Sequence, residues 1–369
     1  MEPHPRLQTE SQPQPDPEAP PRRRPTGRAR ERSAWRGTAS RVGWRLLQAI
    51  PILIGIVTIT FFLTRALGDP VAQIAGPLAG PEEIAEIKGA LGLDKPLLEQ
   101  YATYIGDLAQ GDLGESLRTG RPVVDEIRER IGGTAELLVL GIIAATIWGV
   151  LIGALAAYLR RAGRIFQGIA VLGLSIPDFV IGLALALVFA FSLGWVPAPV
   201  GQISFIDAAP PQRTGGVVLD ALLAGQWGVM WSGLGYLVLP VLTLGLAYGA
   251  PVARLTEALL RETRGKAYIE YAELTGLSRA RVFRYTLRNA LPAILTIVVV
   301  ILGFLVGGIV LVEIVFSWGG LGQWAAQSIL ALDLPAIQGF VLLAGVFTLL
   351  LYLLLDIAYG LIDPRVRRL

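Results

Sequence analysis

Long apolar runs separated by charged segments dominate this 369-residue chain. A hydrocarbon layer about 30 Å thick is crossed by roughly 20 apolar residues in a helix. Because lipid cannot pair backbone amides, such runs must be helices and not strands of an open sheet. The pattern therefore predicts an all-α polytopic membrane protein with six transmembrane helices, at Leu46–Leu67, Leu137–Leu159, Ile165–Leu193, Leu234–Ala253, Leu291–Phe316 and Ile337–Ile362.

Positive charges lie mostly on one side of these predicted spans. Residues 1–45, 160–164 and 254–288 and the C-terminal tail hold 24 of the 32 Lys and Arg residues. Cytoplasmic loops carry such an excess. We therefore expect both termini to be cytoplasmic, and we expect residues 68–130 to lie outside the cell.

The first 45 residues are rich in Pro, Arg and Gln, with ten Arg against five acidic residues. Such a composition cannot bury enough apolar surface to fold, so we predict that residues 1–45 form a disordered basic tail. Contact with anionic lipid is its expected role. The apolar run at 46–67 is too long for a signal-peptide core and lacks a convincing small-residue cleavage site. It is therefore predicted to be an uncleaved anchor.

The segment 68–130 carries signals for two helices. Pro81 is followed by two acidic residues, a combination that suits a first turn, and Gly92 can end that helix. A second helix is predicted between Asp94 and Gly111, because its apolar residues recur at helical spacing. The segment is therefore interpreted as a small helical cap outside the membrane, which can meet a partner or guard an entrance.

The basic loop Arg261–Asn289 is the most informative polar segment, because it also carries signals for two helices. Gly276 can adopt a left-handed conformation and turn the chain, and Ser278 is placed to cap the basic helix that follows. The first helix has apolar residues that can share one face: Tyr268, Ile269, Ala272 and Leu274. A loop between two spans needs no ordered helices of its own, so we expect this loop to bind something outside the bilayer.

The inventory of reactive side chains excludes several classes of function. There is no cysteine, and the single histidine, His4, lies in the N-terminal tail. Thiol nucleophiles, Cys/His zinc sites, haem ligation and a Ser-His-Asp triad are thereby excluded. None of the three lysines completes the P-loop pattern G-x-x-x-x-G-K-[ST], so the chain does not bind ATP through a P-loop.

Several motifs, in order along the chain, resemble those of the permease subunits of binding-protein-dependent ABC importers. Glu270-x-Ala272-x3-Gly276, with a basic helix and Asn289-Ala290-Leu291-Pro292 after it, is similar to the EAA loop of that family. Six further segments look like the dipeptide/oligopeptide branch: GDP (68–70), LGLDKPLLEQY (91–101), GDLGESLRTGRPV (111–123), SIPDF (175–179), EIVFSWGGLG (313–322) and DIAYGLIDPRVR (356–367). The resemblance covers nearly all of Leu46–Leu369 and is to the first of the two permeases in such systems.

This resemblance implies a type I ABC importer permease fold in a bacterial plasma membrane. Residues 131–369 would form a five-helix core with a coupling loop at 261–289, and 68–130 an extracytoplasmic insertion between spans one and two. The loop would contact a separate ATPase subunit through Tyr268, Glu270, Tyr271, Ala272, Glu273, Gly276 and Leu277. Glu270 and Glu273 stand where family members often carry basic residues, so the ATPase groove is expected to carry complementary charge. The N-terminal tail has no counterpart in the family core.

The expected function is import of di- or oligopeptides, with ATP hydrolysis carried out by partner subunits and not by this chain. The implied partners are a second homologous permease, two ABC ATPases that bind ATP and Mg, and an extracytoplasmic binding protein; nucleic acid is not expected. Nickel or an oligosaccharide are alternative cargoes within the same machinery. A self-sufficient secondary transporter is a rival, but it would need an intramembrane ion relay and usually an internal repeat.

Asp178 is the candidate residue for the translocation pathway, together with Pro177 and Phe179. It lies near the middle of the third predicted span, where a charge usually faces a cavity or a partner. It can meet the ammonium group of a peptide. Alternatively, Pro177 breaks the helix and Asp178 caps the next segment; the two readings can coexist.

The outer end of the fifth span carries a candidate gate. Its residues suggest a tight re-entrant turn near the binding protein: Glu313, Trp318, Gly320 and Gly322. Trp318 and Trp324 are alternatively interpreted as anchors at the membrane interface. At the inner end of the last span, a structural cap or ion pair is expected from Asp356, Asp363 and Arg365.

Two glycine pairs permit close approach between helices, Gly149-x3-Gly153 and Gly303-x3-Gly307. Packing inside the bundle of this chain is one interpretation. Contact with the second permease is the other.

Overall fold

The computed structural model describes the backbone of residues 27–67, 71, 75, 79–159, 163, 165, 166, 168, 173 and 175–362. Of these residues, side chains are described only for those from 43 to 354, and residues 46 and 67 are excepted. The chain divides into two compact units, Met1–Leu46 and Leu47–Leu369. All contacts given below lie within the second unit.

The described residues are almost entirely helical. The helices are α1 (Gly27–Leu67), α2 (Pro81–Ala90), α3 (Leu97–Ala109), α4 (Val123–Tyr158), α5 (Asp178–Leu185), α6 (Val217–Leu223), α7 (Trp227–Arg264), α8 (Ala267–Leu274), α9 (Arg279–Val315), α10 (Leu321–Leu330) and α11 (Leu334–Ile362). Helix α5 continues as a π-helix over Ala186–Ser192. Within the described part, β-pairing is limited to one isolated antiparallel bridge between Glu115 and Pro122.

The described part of the chain contains five helices that are long and apolar enough to cross a membrane. They are Gly43–Ala66 of α1, all of α4, α7 and α9, and Leu334–Leu354 of α11. Of the predicted span Ile165–Leu193, the continuous described helix covers only Asp178–Ser192, which is shorter than a span. Pro177 stands immediately before this helix with a non-helical ψ of 143°. The prediction of six spans is therefore not confirmed within the described residues.

The long helices extend well beyond the apolar runs that predicted them. Helix α4 begins at Val123, and α9 joins the predicted basic helix and the fifth span into one helix with Pro292 inside it. Helix α1 begins at Gly27, within the segment predicted to be disordered. Apolar periodicity marks only the part of a helix that lipid or core covers. Charged residues with good helix propensity continue the same helix into water.

The two small helices predicted between spans one and two are present. Helix α2 begins at Pro81 and is followed by Gly92 at φ +63°. Helix α3 ends just before Gly111, whose φ is +83°. Both glycines end their helices as the sequence predicted, and both do so in the left-handed conformation.

Close packing of α4 against α7 uses one of the two predicted glycine pairs. A Cβ atom added at Gly149 would lie 2.7 Å from Cγ1 of Val252, and one at Gly153 would lie 2.7 Å from Cβ of Thr256. A Cβ at Gly303 or Gly307 would meet no described atom within 4 Å. The first pair therefore serves packing within this chain, and the second lies on its surface.

Candidate functional site

Helix α8 lies between α7 and α9 and presents a different face from the one that the sequence predicted. Ile269 is buried against the bundle, whereas Tyr271 is 68% exposed and Leu274 is 80% exposed. Successive residues of an α-helix are rotated by about 100°, so Tyr271 points away from Ile269. The expectation that Tyr268, Ile269, Ala272 and Leu274 share one face is therefore wrong. The exposed apolar face consists of Tyr268, Tyr271 and Leu274.

The turn after α8 has the geometry of a Schellman motif. The amide of Leu277 donates to the carbonyl of Ala272 at 3.1 Å, and the amide of Gly276 donates to that of Glu273, also at 3.1 Å. Gly276 has φ +80°, which glycine adopts without steric cost. These contacts explain why the motif needs glycine at position 276. Glu270 and Glu273 are exposed and leave acidic groups beside the apolar face.

Ser278 stands at the start of α9, but its side chain does not cap the helix. Its carbonyl oxygen accepts from the amides of Arg281 and Val282 at 2.8 and 3.1 Å. Its hydroxyl instead accepts a 3.4 Å hydrogen bond from Nε of Arg281. The predicted position of the cap is confirmed and its side-chain bond is not. The basic residues on this part of α9 are exposed: Arg279, Arg281, Arg284 and Arg288.

Three long helices meet next to α8, through residues that the sequence analysis missed. In the last turns of α7, the Arg261 guanidinium donates to the carbonyl of Ala156 in α4 at 3.2 Å. The Arg264 guanidinium lies 4.4 Å from the ring centroid of Tyr158, and Tyr158 meets Phe283 of α9 edge to face at 5.5 Å. Cations near a helix C-terminus satisfy its free carbonyls. These contacts join the ends of α4, α7 and α9 to one another beside α8.

Asp178 begins helix α5, and Pro177 stands immediately before it. Its Oδ1 accepts from the amide of Phe179 at 2.8 Å, and its Oδ2 accepts from the hydroxyl of Tyr248 at 3.0 Å. A Cβ at Gly308 of α9 would lie 2.7 Å from Oδ2 of Asp178 and would overlap the Tyr248 hydroxyl. The half-buried Asp178 therefore lies where α5, α7 and α9 converge. Neither Tyr248 nor Gly308 gave a signal in the sequence.

Glu313 is buried, and its carboxylate organises the start of α10. The Thr134 hydroxyl donates to its Oε1 at 2.6 Å, and the Gln323 amide donates to its Oε2 at 2.9 Å. The Leu321 amide donates to Oγ1 of Thr134 at 2.8 Å. A negative group suits a helix N-terminus, where the backbone amides lack intrahelical partners.

The glycines of this turn leave room for that carboxylate. A Cβ at Gly320 would lie 2.6 Å from Cδ of Glu313, and one at Gly322 would lie 2.7 Å from Cα of Val310. Between α9 and α10, Ser317 and Gly319 have φ values of +51° and +72°. The predicted tight turn is therefore present, held by a buried acid at its base.

Trp318 and Trp324 are both buried, so the interpretation as interface anchors is wrong. Nε1 of Trp318 donates to the carbonyl of Gly133 at 2.9 Å. Nε1 of Trp324 donates to the carboxylate of Glu126. Each indole thereby joins the turn to α4. A tryptophan at a lipid interface would instead expose its ring.

Two further buried acids hold the loop before α4, which contains the GDLGESLRTGRPV segment. Asp333 accepts from the Ser116 hydroxyl at 2.5 Å and from the Leu117 amide at 3.1 Å. Glu126 accepts from the Thr119 hydroxyl at 2.8 Å. These acids join residues 116–119 to both ends of α10. A structural cap or ion pair was predicted for Asp356, Asp363 and Arg365. The side chain of Asp356 lies outside the described residues, as do Asp363 and Arg365 entirely.

Comparison with known families identifies the class of this protein. Residues 149–368 match the family described as binding-protein-dependent transport system inner membrane component. Residues 42–138 match the family of N-terminal portions of such membrane components. The chain therefore belongs to the family of permeases of binding-protein-dependent transport systems. Members of this family are transport subunits and are not themselves enzymes. It is a multi-pass membrane protein.

Three similar proteins are permeases named for the transport of di/tripeptides, dipeptides and glutathione. The chain is 38% identical over 329 residues to the di/tripeptide transport system permease protein DppB of Pseudomonas aeruginosa, covering 88% of this chain and 97% of the relative. It is 38% identical over 334 residues to the dipeptide transport system permease protein DppB of Escherichia coli K12, with the same coverage. It is 36% identical over 327 residues to the glutathione transport system permease protein GsiC of Escherichia coli O6:H1, again with that coverage.

Proposed function

We propose that this chain is the permease subunit of an ABC importer that moves di- or oligopeptides into the cytoplasm. The relatives that it matches along most of its length are named for dipeptides, di/tripeptides and glutathione. All three cargoes are short peptides, and this favours peptide over nickel or an oligosaccharide. Specificity within the class is assigned to the extracytoplasmic binding protein that would deliver the cargo.

The exposed apolar face of α8 carries this proposal. This face consists of three exposed side chains, Tyr268, Tyr271 and Leu274. The opposite side of the helix is anchored by the buried Ile269. A cluster of large apolar side chains on a short polar loop needs a protein partner to cover it. The partner is an ATPase subunit that binds ATP and Mg, with a groove whose rim complements Glu270 and Glu273.

Closure of two such ATPases on ATP would displace α8 as a rigid element. Because Arg261 and Arg264 join α7 to α4 beside α8, the displacement reaches several spans at once. The cavity between this chain and a homologous second permease would then switch between outward-open and inward-open states. A secondary transporter would not need this connection.

Asp178 is assigned to the translocation pathway, where its carboxylate would attract the ammonium group of a peptide. The turn at Glu313, Trp318, Gly320 and Gly322 is assigned to the outer gate, next to the binding protein. In this arrangement both termini are cytoplasmic, and residues 68–130 are extracytoplasmic. The coupling helix and the gate then lie at opposite ends of α9, which joins them directly.

The proposal can be tested by replacing Tyr271 with alanine in the complex purified through a tag on this chain. We expect co-purification of the ATPase to fall severalfold, and peptide uptake into vesicles to fall with it. Tyr352→Ala is the matched control, since Tyr352 is 62% exposed on a membrane-spanning helix far from α8 in sequence. Full recovery of ATPase and uptake in the Tyr271→Ala complex would contradict the proposal. Uptake that needs a proton gradient but no ATPase would favour a secondary transporter.

A further inference from the structure

We propose that helix α3 lies at the boundary between lipid and water and inserts one flank among the lipids of the adjacent leaflet. This lipid-binding surface is separate from the coupling helix and from the peptide pathway. It differs from the simpler expectation of a cap that stands away from the membrane. Three features of α1 and α3 support it: the depth of their contact, the width of the apolar surface on α3, and the exposed face of α1 beside it.

Helix α3 contacts α1 well below the end of the membrane-spanning segment. The hydroxyl groups of Thr58 and Tyr101 share a hydrogen bond of 2.7 Å. Thr58 comes eight positions before Ala66, where the spanning part of α1 ends, and this is roughly 12 Å along a helix. Nearer that end, Nε of Arg65 donates to Oε1 of Gln100 at 3.0 Å. Residues 100–104 of α3 therefore contact the last turns of the apolar segment of α1, which is where the proposal places lipid headgroups and upper acyl chains.

Aromatic stacking fixes the two helices together at this depth. Phe61 stacks on Tyr104 with ring centroids 5.6 Å apart, and Phe62 stacks on Tyr101 at 5.8 Å. Tyrosine is enriched where membrane and water meet, because its ring is apolar and its hydroxyl is polar. The position of α3 is therefore set by packed rings and hydrogen bonds.

The apolar surface of α3 is wider than the part that α1 covers. Leu98 is 75% exposed. It belongs to an apolar flank whose positions recur every three or four residues, so they share one side of the helix: Leu98, Ala102, Ile105 and Ala109. All of these are exposed except Ile105, which is half-buried. An exposed polar edge follows around the helix: Glu99, Thr103, Asp107 and Gln110.

The surface of α1 beside this flank is also apolar and open. Phe62, which stacks on Tyr101, is 42% exposed, and Ile59 and Leu63 on the same segment are exposed as well. Helix α3 carries an apolar flank next to a polar edge. At a membrane interface, such a helix turns its apolar side toward acyl chains and its polar side toward headgroups and water. Lipid is therefore the occupant that fits both surfaces: acyl chains contact Leu98, and headgroups and water contact the edge around Thr103.

Because the chain contains no cysteine, single cysteines can report the surroundings of each flank. We would make Leu98→Cys and Thr103→Cys, assemble each variant with its transport partners, and reconstitute them in phosphatidylcholine/phosphatidylglycerol vesicles. A nitroxide attached to each cysteine of this chain is then challenged with oxygen, which concentrates in lipid, and with a water-soluble nickel chelate. Ile59→Cys serves as a lipid reference, and Glu83→Cys on α2 as an aqueous reference.

We expect the ratio of oxygen to nickel accessibility at Leu98→Cys to approach that at Ile59→Cys and to exceed that at Thr103→Cys severalfold. Ala102→Cys on the same flank should give the same result, and it replaces Leu98→Cys if that variant does not assemble. Equal nickel accessibility at positions 98 and 103 would show that the flank stands in water. Protection of the flank from both reagents would show that a protein covers it. Either result would overturn the proposal, while peptide uptake by the same vesicles tests the transport function separately.

Discussion

The hydroxyl of Tyr248 donates a 3.0 Å hydrogen bond to the carboxylate of Asp178, and this bond joins α7 to the first residue of α5. Gly308 of α9 packs directly over the pair, with no space for a Cβ. A charged group within a helical bundle is costly unless it is paired or faces a polar cavity. Here one carboxylate oxygen of Asp178 accepts a hydrogen bond from the tyrosine hydroxyl, and the other accepts one from the amide of Phe179.

Asp178→Asn is expected to impair uptake of peptides that carry a free amino terminus. The variant keeps the size of the side chain and loses its charge, and hydrogen bonds to charged groups contribute about 1.5–3 kcal/mol. We therefore expect the half-saturating concentration for such peptides to rise by about tenfold to a hundredfold. N-acetylated peptides are the control substrate and should be little affected. Unchanged uptake of both substrates would remove Asp178 from the pathway.

Gly308→Ala is expected to destabilise the bundle, because the added methyl group would overlap Tyr248 and contact Asp178. Overpacking of this kind costs about 1–3 kcal/mol. Gly307→Ala on the same helix is the matched control, since a Cβ there would meet no described atom within 4 Å. Thermal unfolding in detergent should show a lower midpoint for Gly308→Ala alone. Equal midpoints for the two variants would mean that Tyr248 and Asp178 can move to accommodate the methyl group without loss of stability.

Gly276→Val is expected to uncouple transport from ATP hydrolysis while leaving membrane insertion intact. A β-branched residue at φ +80° is strained, and the left-handed conformation costs roughly 1–2 kcal/mol for a side chain. The turn that places α8 would therefore shift. Gly265→Ala before α8 is the control, because Gly265 has φ −78° and accepts a methyl group.

The measurement for this pair of variants is ATP hydrolysis by the assembled complex, with and without peptide-loaded binding protein. Gly265→Ala should keep the stimulation. A Gly276→Val complex that is stimulated to the same extent as the wild type would argue against α8 as the coupling element.

The loop before α6 is expected to loosen in acid because of Asp220. Burial disfavours the charged form of this carboxylate, but the amides of Arg213, Thr214 and Gly215 donate to it. Together these hydrogen bonds outweigh burial and lower the pKa of Asp220 below its ordinary value. Its contribution to stability is therefore complete above the pKa of an unfolded aspartate, about 3.9. It is lost as pH falls through the lower folded-state pKa.

Hydrogen exchange of the amides at residues 213–215 can check this expectation. Protection, corrected for the intrinsic pH dependence of exchange, should fall below about pH 4 in the wild type. In Asp220→Asn it should be weaker at pH 7 and nearly independent of pH. An acid-induced loss of protection that persists in Asp220→Asn would assign the effect to another group.

Local sequence patterns were sufficient for much of the architecture. Apolar runs predicted five of the long helices, although not their ends. Pro81, Gly92 and Gly111 predicted the bounds of α2 and α3, and Gly276 predicted the turn after α8. Each of these features depends on residues within a few positions of one another, so the chain segment itself encodes them.

The side-chain environments were decided by the tertiary structure. Tyr248 and Asp178 are 70 positions apart, and Thr134 and Glu313 are 179 apart. Such contacts depend on how each helix is rotated and tilted against its neighbours, and no short segment contains that information. The same reason explains why only one of the two glycine pairs packs within this chain, and why Trp318 is buried instead of facing lipid. The sequence by itself thus determined most of the long helices and several of the turns between helices. Helix packing decided which residues meet around Asp178, at the turn before α10 and beside α8.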